Sequence, residues 1–462
     1  MSLSESFKDM VAVAPVHIQP RHKLSMSPSI SSGSLQQQLG TRRSTAQDLL
    51  KSKFTFRGQQ ESENDPAEVV IVCEPEGTSL QMGGLHPRAS LYEKPVNLEE
   101  AKRAHAEFRR VMRDKGVRVL TVREILAYGA SDHVGARMEL EDLAMNALTY
   151  AVAPGASLEG ASAETLRYFS DEYKRHVLER MSVSQLIDTV MMHPTVHLTP
   201  TDRDTGLQSA YAIEPLSNLV YTRDQQITTA KGVVMGRLRS PQRGLEVALM
   251  RFCFDKLGVP VEGEVAAPGY LEGGDFVPVS RDLCMLGVGL RSNAEAAKQL
   301  MDRDLLGTRR FAVVRDDFER HQDRMHLDCV FAVVSDRCCI MLDEMMGEQS
   351  PTRRMVDEYA KQPDGAYALV RADVELSRYM ADNGFQIIPI KGAHQLLYAC
   401  NVLNLGNERI ISVHLETARQ IVASPHFHGD VQYLDYSPIT SMYGAVHCSS
   451  QVIKRTAKRG MP

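Results

Sequence analysis

The feature that most constrains the fold is a pattern that recurs five times along the chain: an apolar strand, an amphipathic helix and a second strand. In the first copy these segments are AEVVIVCEP, NLEEAKRAHAEFRRVMRDKG and VRVLTV. The later copies begin with GVVMGRL, LCMLGVGL, RCCIML and ERIISV. Alternating strands and helices predict an α/β fold. Five similar units at irregular spacing predict blades repeated around an axis rather than one doubly wound sheet.

The chain divides into three predicted regions. Residues 1–65 are rich in Ser, Gln and Pro and lack apolar periodicity, so we expect a disordered N-terminal tail. Residues 66–462 carry the repeated units and are predicted to form a catalytic α/β domain. Between the first and second units, residues 130–195 are helical in period and poor in strand signal, which predicts an inserted helical subdomain.

Bulk properties exclude several classes of function. The net charge of −5 leaves no basic footprint for nucleic acid, and no apolar run is long enough to cross a membrane. The eight cysteines contain no CxxC spacing, which indicates reduced thiols in a cytoplasmic protein. A mitochondrial or plastid location is the alternative if the basic, Ser-rich tail is a transit peptide, although Glu5 and Asp9 come early in it.

Two histidine pairs have spacings that a metal could use. They are His193 with His197 and His426 with His428. Neither pair has cysteine or carboxylate partners at zinc-site spacing, so we predict surface histidines and no metal.

The stretch MHLDCVFAVV, residues 325–334, opens with polar residues and then becomes apolar. If it is a strand, His326 and Asp328 point to one side, because strand side chains alternate between faces. An exposed strand end without a function is the commoner explanation of such a pair when it is considered alone.

Four short segments carry acidic, imidazole or thiol groups where the repeated units join: NLVYTRD, LEGGDF, HLD and AVHCSS. Each segment has an ordinary structural explanation. EGGD suits a turn in which two glycines allow positive φ. Cys448 suits a small buried residue, and Asp224 beside Arg223 suits a surface ion pair.

Taken together, the four segments predict a more specific chemistry. A cavity that contains Asp224, Glu272 and Asp328 suits a cation. A planar guanidinium offers pairs of N–H groups that two carboxylates can grip. The Cys448 thiolate could then attack the central carbon, while His326 delivers a proton to the leaving nitrogen.

The ordered motifs NLVYTRD, LEGGDF, HLDCVF and CNVL and the late cysteine resemble arginine deiminases, members of the pentein or guanidine-modifying superfamily. The resemblance covers residues 66–455 and includes the helical insertion. It implies a five-bladed, pseudo-fivefold α/β propeller with an inserted helical subdomain. It also implies a small-molecule substrate, no metal or organic cofactor, and a homo-oligomer.

The resemblance assigns catalytic roles residue by residue. Cys448 is expected to be the nucleophile and His326 the general acid and base. Glu272 would orient His326, while Asp224 and Asp328 would hold the guanidinium.

The resemblance also implies residues that bind the substrate. Asn218, Arg243 and Arg291 would grip its α-carboxylate, and Asp275 is included among the substrate-binding residues. Arg239 lies near Arg243 in sequence and could be confused with it. Surface charges at helix starts are the alternative explanation for the two arginines.

The implied function is hydrolysis of L-arginine to L-citrulline and ammonia through a covalent Cys-thiouronium intermediate. An amidinotransferase is one rival, but LEGGD favours hydrolysis. A dihydrolase that releases ornithine and two ammonia molecules is a second rival, against which Asp224 argues. The third is a non-catalytic arginine-binding regulator, which would be expected to lack the nucleophile or the histidine.

Two features set further expectations. The sequence SMYGAVHCSS before the nucleophile departs from the glycine-rich, arginine-containing run usual in arginine deiminases, so Tyr443 and His447 are expected to shape the pocket mouth. The surrounding carboxylates oppose ionisation of the Cys448 thiol. We therefore expect much of the thiolate to form only when a cationic substrate is bound.

Overall fold

The computed structural model of the protein describes residues 56–75 and 77–457. Most of the predicted tail, residues 1–55, therefore lies outside the described residues. The strands are β1 (Ala67–Val72), β2 (Arg118–Thr121), β3 (Thr149–Val152), β4 (Pro194–Pro200), β5 (Leu207–Ile213), β6 (Gln226–Thr228), β7 (Val233–Met235), β8 (Val261–Glu264), β9 (Phe276–Pro278), β10 (Leu283–Val288), β11 (Arg310–Arg315), β12 (Phe331–Ser335), β13 (Cys338–Leu342), β14 (Met355–Lys361), β15 (Tyr367–Glu375), β16 (Gln386–Ile390), β17 (Leu403–Asn404), β18 (Arg409–Ser412), β19 (Asp430–Tyr433) and β20 (Gln451–Arg455).

The helices connect these strands and pack on them. They are α1 (Thr78–Gly84), α2 (Leu98–Asp114), α3 (Val122–Ala127), α4 (Val134–Ala147), α5 (Ala163–Arg167), α6 (Asp171–Glu179), α7 (Val183–Met192), α8 (Gly244–Leu257), α9 (Ala294–Asp302), α10 (Leu376–Asp382), α11 (Gly392–Gln395), α12 (Leu415–Ala423) and α13 (Ser437–Thr440). Among the described residues, no helix combines the length and the apolar character needed to cross a bilayer.

Five of the sheets share one pattern, which confirms the α/β class and the five repeated units. In each, two parallel strands are connected through a helix: β1–α2–β2, β7–α8–β8, β10–α9–β11, β13–α10–β16 and β18–α12–β19. A third strand pairs antiparallel with the first strand of each unit: β20, β6, β9, β12 and β17 respectively. The hairpin β14–β15 widens the third sheet to five strands. None of the described sheets closes on itself.

A buried polar or thiol side chain precedes the antiparallel strand of every unit by two to four positions. These residues are Asp224 before β6, Glu272 before β9, Asp328 before β12, Asn401 before β17 and Cys448 before β20. All five are buried. The five residues therefore occupy equivalent positions in the five units, each just before the antiparallel strand.

Helix α2 illustrates how the local sequence determines where the helix of a unit begins and which of its faces is buried. Its N-terminus begins after Asn97, whose side chain accepts hydrogen bonds from the backbone N–H groups of the first turn. Ala101, Phe108, Val111 and Met112 recur at helical spacing, and all are buried. This apolar face packs against β1, β2 and the C-terminal segment in one hydrophobic cluster.

The predicted helical insertion contains helices α4 to α7, but it also contains a sheet that the sequence did not indicate. Strand β3 pairs in parallel with β4, and β4 pairs antiparallel with β5. The sheet therefore continues beyond the predicted end at residue 195 to residue 213. Strand β4 is half-buried at every position, although Val196 and Leu198 alternate with polar residues in its sequence, a short strand pattern that the prediction of a helical insertion overlooked.

The prediction that His326 and Asp328 share one face of a strand is wrong. Leu327–Cys329 form a 3-10 turn, and the strand begins only at Phe331. Local hydrogen bonds stabilise this turn, because the N–H of Cys329 donates to the carbonyl of His326 at 3.1 Å. A further contact from Asp275, whose carboxylate accepts the N–H of Leu327 at 3.0 Å, is distant in sequence and invisible to a local pattern.

The predicted tail ends too late, because residues 56–65 belong to the folded body. Gln60, Glu63 and Asn64 are buried, and Gln59 forms a β-bridge with Lys454 of β20. The Arg455 guanidinium donates to the side chain of Gln60 and to the carbonyls of residues 63, 65 and 404 at 2.8–3.0 Å. Polar residues that resemble a tail in sequence are thus satisfied by one buried arginine from the other end of the chain.

We expect Arg455→Lys to lower the free energy of unfolding by about 3 kcal/mol, because an ammonium keeps the charge but cannot reach four acceptors at once. Arg57→Lys is the matched control, since Arg57 pairs with Glu262 on the surface and its loss should cost less than about 1 kcal/mol. Urea denaturation of the two variants measures the difference. Equal effects would contradict the structural role given to Arg455.

Candidate active site

One small cavity gathers six of the nine predicted site residues. Those lining it are Asn218, Asp224, Arg243, Arg291, His326 and Cys448. Its remaining lining residues are Leu91, Tyr221, Gln322, Met325, Met442 and Tyr443. The cavity therefore brings the thiol and the imidazole, which are 122 positions apart in sequence, to one space.

The imidazole of His326 is held by Glu272 in a buried pair. Their atoms Nε2 and Oε2 are 2.8 Å apart, and Nδ1 of His326 lies 3.9 Å from Oδ1 of Asp224. Burial alone would lower the pKa of His326, but the charge of Asp224 and the hydrogen bond to Glu272 outweigh it and raise the pKa to about 10. Burial would raise the pKa of Glu272, yet the same bond lowers it to about 2. His326 is therefore an imidazolium at neutral pH in the empty cavity.

The glycines of EGGD are needed for close approach and not for a left-handed backbone. Neither has a positive φ angle. A Cβ at Gly273 would lie 1.9 Å from the carbonyl oxygen of Arg223, and one at Gly274 would lie 2.6 Å from Nδ1 of His326. Any side chain at position 274 would push the imidazole out of place.

The thiol of Cys448 is surrounded by polar groups and is buried. The amide of Asn401 donates to Sγ at 3.1 Å, and Oδ2 of Asp328 lies 3.7 Å from Sγ. Burial, followed by the negative charges of Asp328 and Asp224, raises the pKa of Cys448 well above its usual range. The thiol is thus protonated in the empty cavity, which agrees with the expectation that the thiolate needs a cation nearby.

Among the described residues, one carboxylate oxygen of Asp224 is hydrogen-bonded and the other is not. Its Oδ2 accepts a hydrogen bond from Nη1 of Arg243 at 2.8 Å, whereas the buried Oδ1 has no hydrogen-bond partner among the described residues. Arg243 is held on its other edge by Glu246, with Nη2 2.9 Å from the carboxylate. Arg223 is buried, so the alternative of a surface ion pair with Asp224 is wrong.

The residues predicted to bind the α-carboxylate of the substrate line the cavity, and they differ in how many of their N–H groups are already hydrogen-bonded. The Nη2 group of Arg291 donates to the side chain of Gln322 at 3.4 Å, while its buried Nε has no hydrogen-bond partner among the described residues. The amide of Asn218 donates to the carbonyl of Ser90 at 2.9 Å. Arg239, the competitor of Arg243, instead stacks on the ring of Tyr270. Both Arg243 and Arg291 are buried, so neither is a surface charge at a helix start.

Asp275 lies outside this cavity, which does not support its predicted contact with a substrate. Its two oxygens accept the backbone N–H groups of Leu327 and Ser292 at 3.0 and 3.2 Å. It lines a separate space of about 280 Å³ that shares Met325 and His326 with the first. Burial raises the pKa of Asp275 to about 7. Its contacts are those of a residue that holds the turn carrying His326.

Two further residues lie at this site but were not predicted from the sequence, Asn401 and Glu63. Asn401 lies within the motif CNVL, and its position before β17 matches the positions of the predicted catalytic residues before their strands. Its Oδ1 accepts the N–H groups of both His447 and Cys448. Glu63 contacts the imidazole of His447 at 3.2 Å, but no local pattern signals this because the two residues are 384 positions apart.

The loop before Cys448 differs from the expectation in one respect. Tyr443 does line the cavity, and both it and Leu91 have positive φ angles, 72° and 62°. Such angles are strained for these residues and cluster at functional sites. His447, by contrast, is buried behind the cavity and does not line its mouth.

Two groups of side chains among the described residues have the geometry to hold a metal ion. One comprises His326, Asp328 and Cys329, and the other Asp224, Glu272 and His326. Neither includes the histidine pairs noted in the sequence. His326 belongs to both groups and already pairs with Glu272. The absence of a metal stays a prediction.

The sequence matches the family model of arginine deiminase over residues 89–455. The arginine deiminase of Halobacterium salinarum is 24% identical over 323 residues, which cover 53% of this chain and 65% of the relative. That of Staphylococcus haemolyticus is 24% identical over 263 residues, which cover 54% of this chain and 60% of the relative. The match thus spans less than two thirds of the length of these relatives.

Solved structures show a weaker likeness. A dimethylarginine dimethylaminohydrolase is 16% identical with a TM-score of 0.47, covering 83% of this chain and 98% of that chain. The N-terminal domain of ArgZ, an arginine dihydrolase from cyanobacteria, is 12% identical with a TM-score of 0.47, covering 84% and 97%. SxtG, an amidinotransferase from Microseira wollei, is 12% identical with a TM-score of 0.49, covering 87% and 98%. Likeness at this level does not distinguish one activity from another.

We expect alkylation of Cys448 by iodoacetamide in the empty protein to be slow from about pH 6 to 8 and to rise at least about tenfold above pH 9. The reason is the raised pKa of the buried thiol. Mass spectrometry of the Cys448 peptide measures the rate, and Cys448→Ser controls for other sites. Fast alkylation that does not change from pH 6 upward would contradict the assignment.

Proposed function

Because the chain belongs to the arginine deiminase family, we propose that it hydrolyses the guanidinium group of L-arginine to give L-citrulline and ammonia. The observation that carries this proposal is Oδ1 of Asp224, a buried acceptor that has no hydrogen bond within the described part of the chain and lies 3.9 Å from Nδ1 of His326, in a cavity that also contains the Cys448 thiol. A buried carboxylate oxygen without a partner is costly. A cationic N–H donor supplied by a substrate would satisfy it.

The charges along the cavity suit a molecule with a cation at one end and an anion at the other. Asp224 lines the cavity, and Asp328, which does not line it, lies 3.7 Å from Sγ of Cys448; the two carboxylates would grip two edges of a guanidinium. Arg291 has a buried Nε with no hydrogen bond to any described residue, and this group would donate to a carboxylate. Arginine carries both groups on one flexible chain.

In the first half of the reaction, cation binding favours loss of the thiol proton to water. The Cys448 thiolate adds to the guanidinium carbon and forms a tetrahedral adduct. His326, an imidazolium in the empty cavity, protonates one nitrogen, which leaves as ammonia. An S-alkylthiouronium on Cys448 remains, and His326 is neutral.

In the second half, neutral His326 takes a proton from water as the oxygen adds to the thiouronium carbon. Collapse of this adduct expels the Cys448 thiolate and leaves a ureido group after loss of one proton. Glu272 keeps the imidazole aligned in both halves through its 2.8 Å bond. The net change is arginine and water to citrulline and ammonium. Direct attack of Cys448 accounts for the chemistry with no metal or organic cofactor.

We also propose that the five units are the blades of a pseudo-fivefold propeller with the reaction site on its axis. The supporting observation is that Asp224, Glu272, Asp328, Asn401 and Cys448 each precede the antiparallel strand of a different unit. Asn401 and Asp328 contact Sγ of Cys448, while Asp224 and Glu272 both lie against the imidazole of His326, which favours convergence of the five strand entries. A homo-oligomeric state stays a prediction.

The decisive experiment is product analysis with the purified full chain. We expect incubation with L-arginine to yield citrulline and ammonia in equal amounts, and Cys448→Ser to lose at least about 10⁴-fold in kcat because the nucleophile is removed. Cys338→Ser is the matched control: Cys338 lies in β13 near Ser424, away from the cavity, and should keep wild-type activity.

Other products would identify the rivals. Ornithine with doubled ammonia would show that the protein is a dihydrolase and not a deiminase. Transfer of the amidino group to an added amine would show that it is an amidinotransferase. Saturable binding of arginine without turnover would indicate a regulator.

We expect Asp224→Asn to lower kcat/KM for arginine by at least about 10²-fold, because an amide cannot make the charged contact with a guanidinium. Steady-state kinetics measures the loss, and circular dichroism checks that the variant is folded. A decrease of less than about fivefold would contradict the placement of the guanidinium beside Asp224.

A further inference from the structure

The mechanism above leaves one buried histidine of the site without a role. His447 directly precedes the nucleophile, and its ring lies between two carboxylates. Nδ1 is 2.8 Å from Oδ2 of Asp328, and Nε2 is 3.2 Å from Oε1 of Glu63. All three side chains are almost fully buried.

This geometry defines the charge on the ring. Two ionised carboxylates can only accept hydrogen bonds, so both ring nitrogens of His447 must donate, which requires the imidazolium. Burial and Arg223 would lower the pKa of His447, but its bonds to Asp328 and Glu63 raise it overall. Burial would raise the pKa of each carboxylate, whereas the hydrogen bond to His447 lowers both.

The other charged groups around the ring do not replace it. Nε of Arg223 donates to the backbone carbonyl of His447 and not to either carboxylate. Arg455 donates to the backbone carbonyl of Glu63. The ring of His447 therefore makes the short charged hydrogen bond to Asp328, at the same Oδ2 atom that lies 3.7 Å from Sγ of Cys448.

We propose that His447 is a positioning residue of the active site, held by Glu63 of the N-terminal segment, and that it orients and keeps ionised the Asp328 carboxylate that grips the substrate cation. This inference rests on the proposed function. It makes residues 56–65 part of the active site, because without Glu63 one edge of the ring has no partner.

The same arrangement couples the ring to the nucleophile. Oδ1 of Asn401 accepts the N–H groups of both His447 and Cys448, at 3.1 and 3.3 Å. Oδ2 of Asp328 contacts the ring and lies 3.7 Å from Sγ of Cys448. Displacement of the imidazole would therefore shift the guanidinium-binding carboxylate relative to the sulfur.

The test compares His447→Asn, Glu63→Gln and the control Glu61→Gln in the full chain. Glu61 belongs to the same segment but pairs with Arg281 at the surface. We expect His447→Asn to lower kcat/KM for arginine at least about 30-fold at pH 7, Glu63→Gln about fivefold, and Glu61→Gln less than twofold. The double variant Glu63→Gln/His447→Asn should be no worse than His447→Asn, because both act through one ring.

The pH profile separates positioning from a structural role. Loss of the imidazolium raises the pKa of Asp328, and the substrate cation needs the ionised carboxylate. The acidic limb of kcat/KM should therefore move to higher pH by about one unit in His447→Asn. An unmoved limb, or additive effects of the two substitutions, would overturn the inference even if the variants lose thermal stability.

A second measurement does not need arginine turnover. Chloroacetamidine is a planar cation and chloroacetamide its neutral counterpart, and the Cys448 sulfur displaces chloride from each. We expect the ratio of their alkylation rates to fall at least about tenfold in His447→Asn, because the cation loses its grip on Asp328. If the wild type makes no citrulline but this ratio falls, the proposed function fails and the role of His447 stands. An unchanged ratio overturns the role of His447 alone.

Discussion

The structure of the site depends on pairing acids that are buried too deeply to be solvated. Glu272 is matched by His326 at 2.8 Å, Asp328 by His447 at 2.8 Å and Asp224 by Arg243 at 2.8 Å. Burying an unpaired carboxylate costs several kcal/mol or forces it to take a proton. These cationic partners let the three acids stay ionised in a buried site while the fold remains stable.

The pairing also explains the protonation states from which the reaction would start. Asp224, together with Glu272 and Asp275, raises the pKa of His326 to about 10, whereas burial, Asp328 and Asp224 raise the pKa of the Cys448 thiol, so the empty site contains an imidazolium and a neutral thiol. In the proposed reaction, a cation bound beside Cys448 would lower the pKa of the thiol and so favour the thiolate. Until then the protonated thiol would be less reactive toward incidental alkylation and oxidation.

Sequence patterns predicted much of this arrangement because they are repeated or ordered. The five strand–helix–strand units were recognisable from apolar periodicity, which depends on neighbours within a few residues. Most of the candidate site followed from motif order, and six predicted residues do line one cavity. The failures involve distant contacts. The turn at Leu327–Cys329 is stabilised by Asp275, and the packing of residues 56–65 depends on Arg455.

By itself, the sequence determined the α/β class, the five units and the set of side chains able to act on a guanidinium, because these depend on local periodicity and residue chemistry. Only the tertiary structure decided which carboxylate has which partner. It placed Asp275 behind the cavity, brought Asn401 to the sulfur and set Glu63 against His447. The physical reason is that a buried charge is stabilised by whichever groups packing brings within about 3 Å, however far apart they lie in the chain.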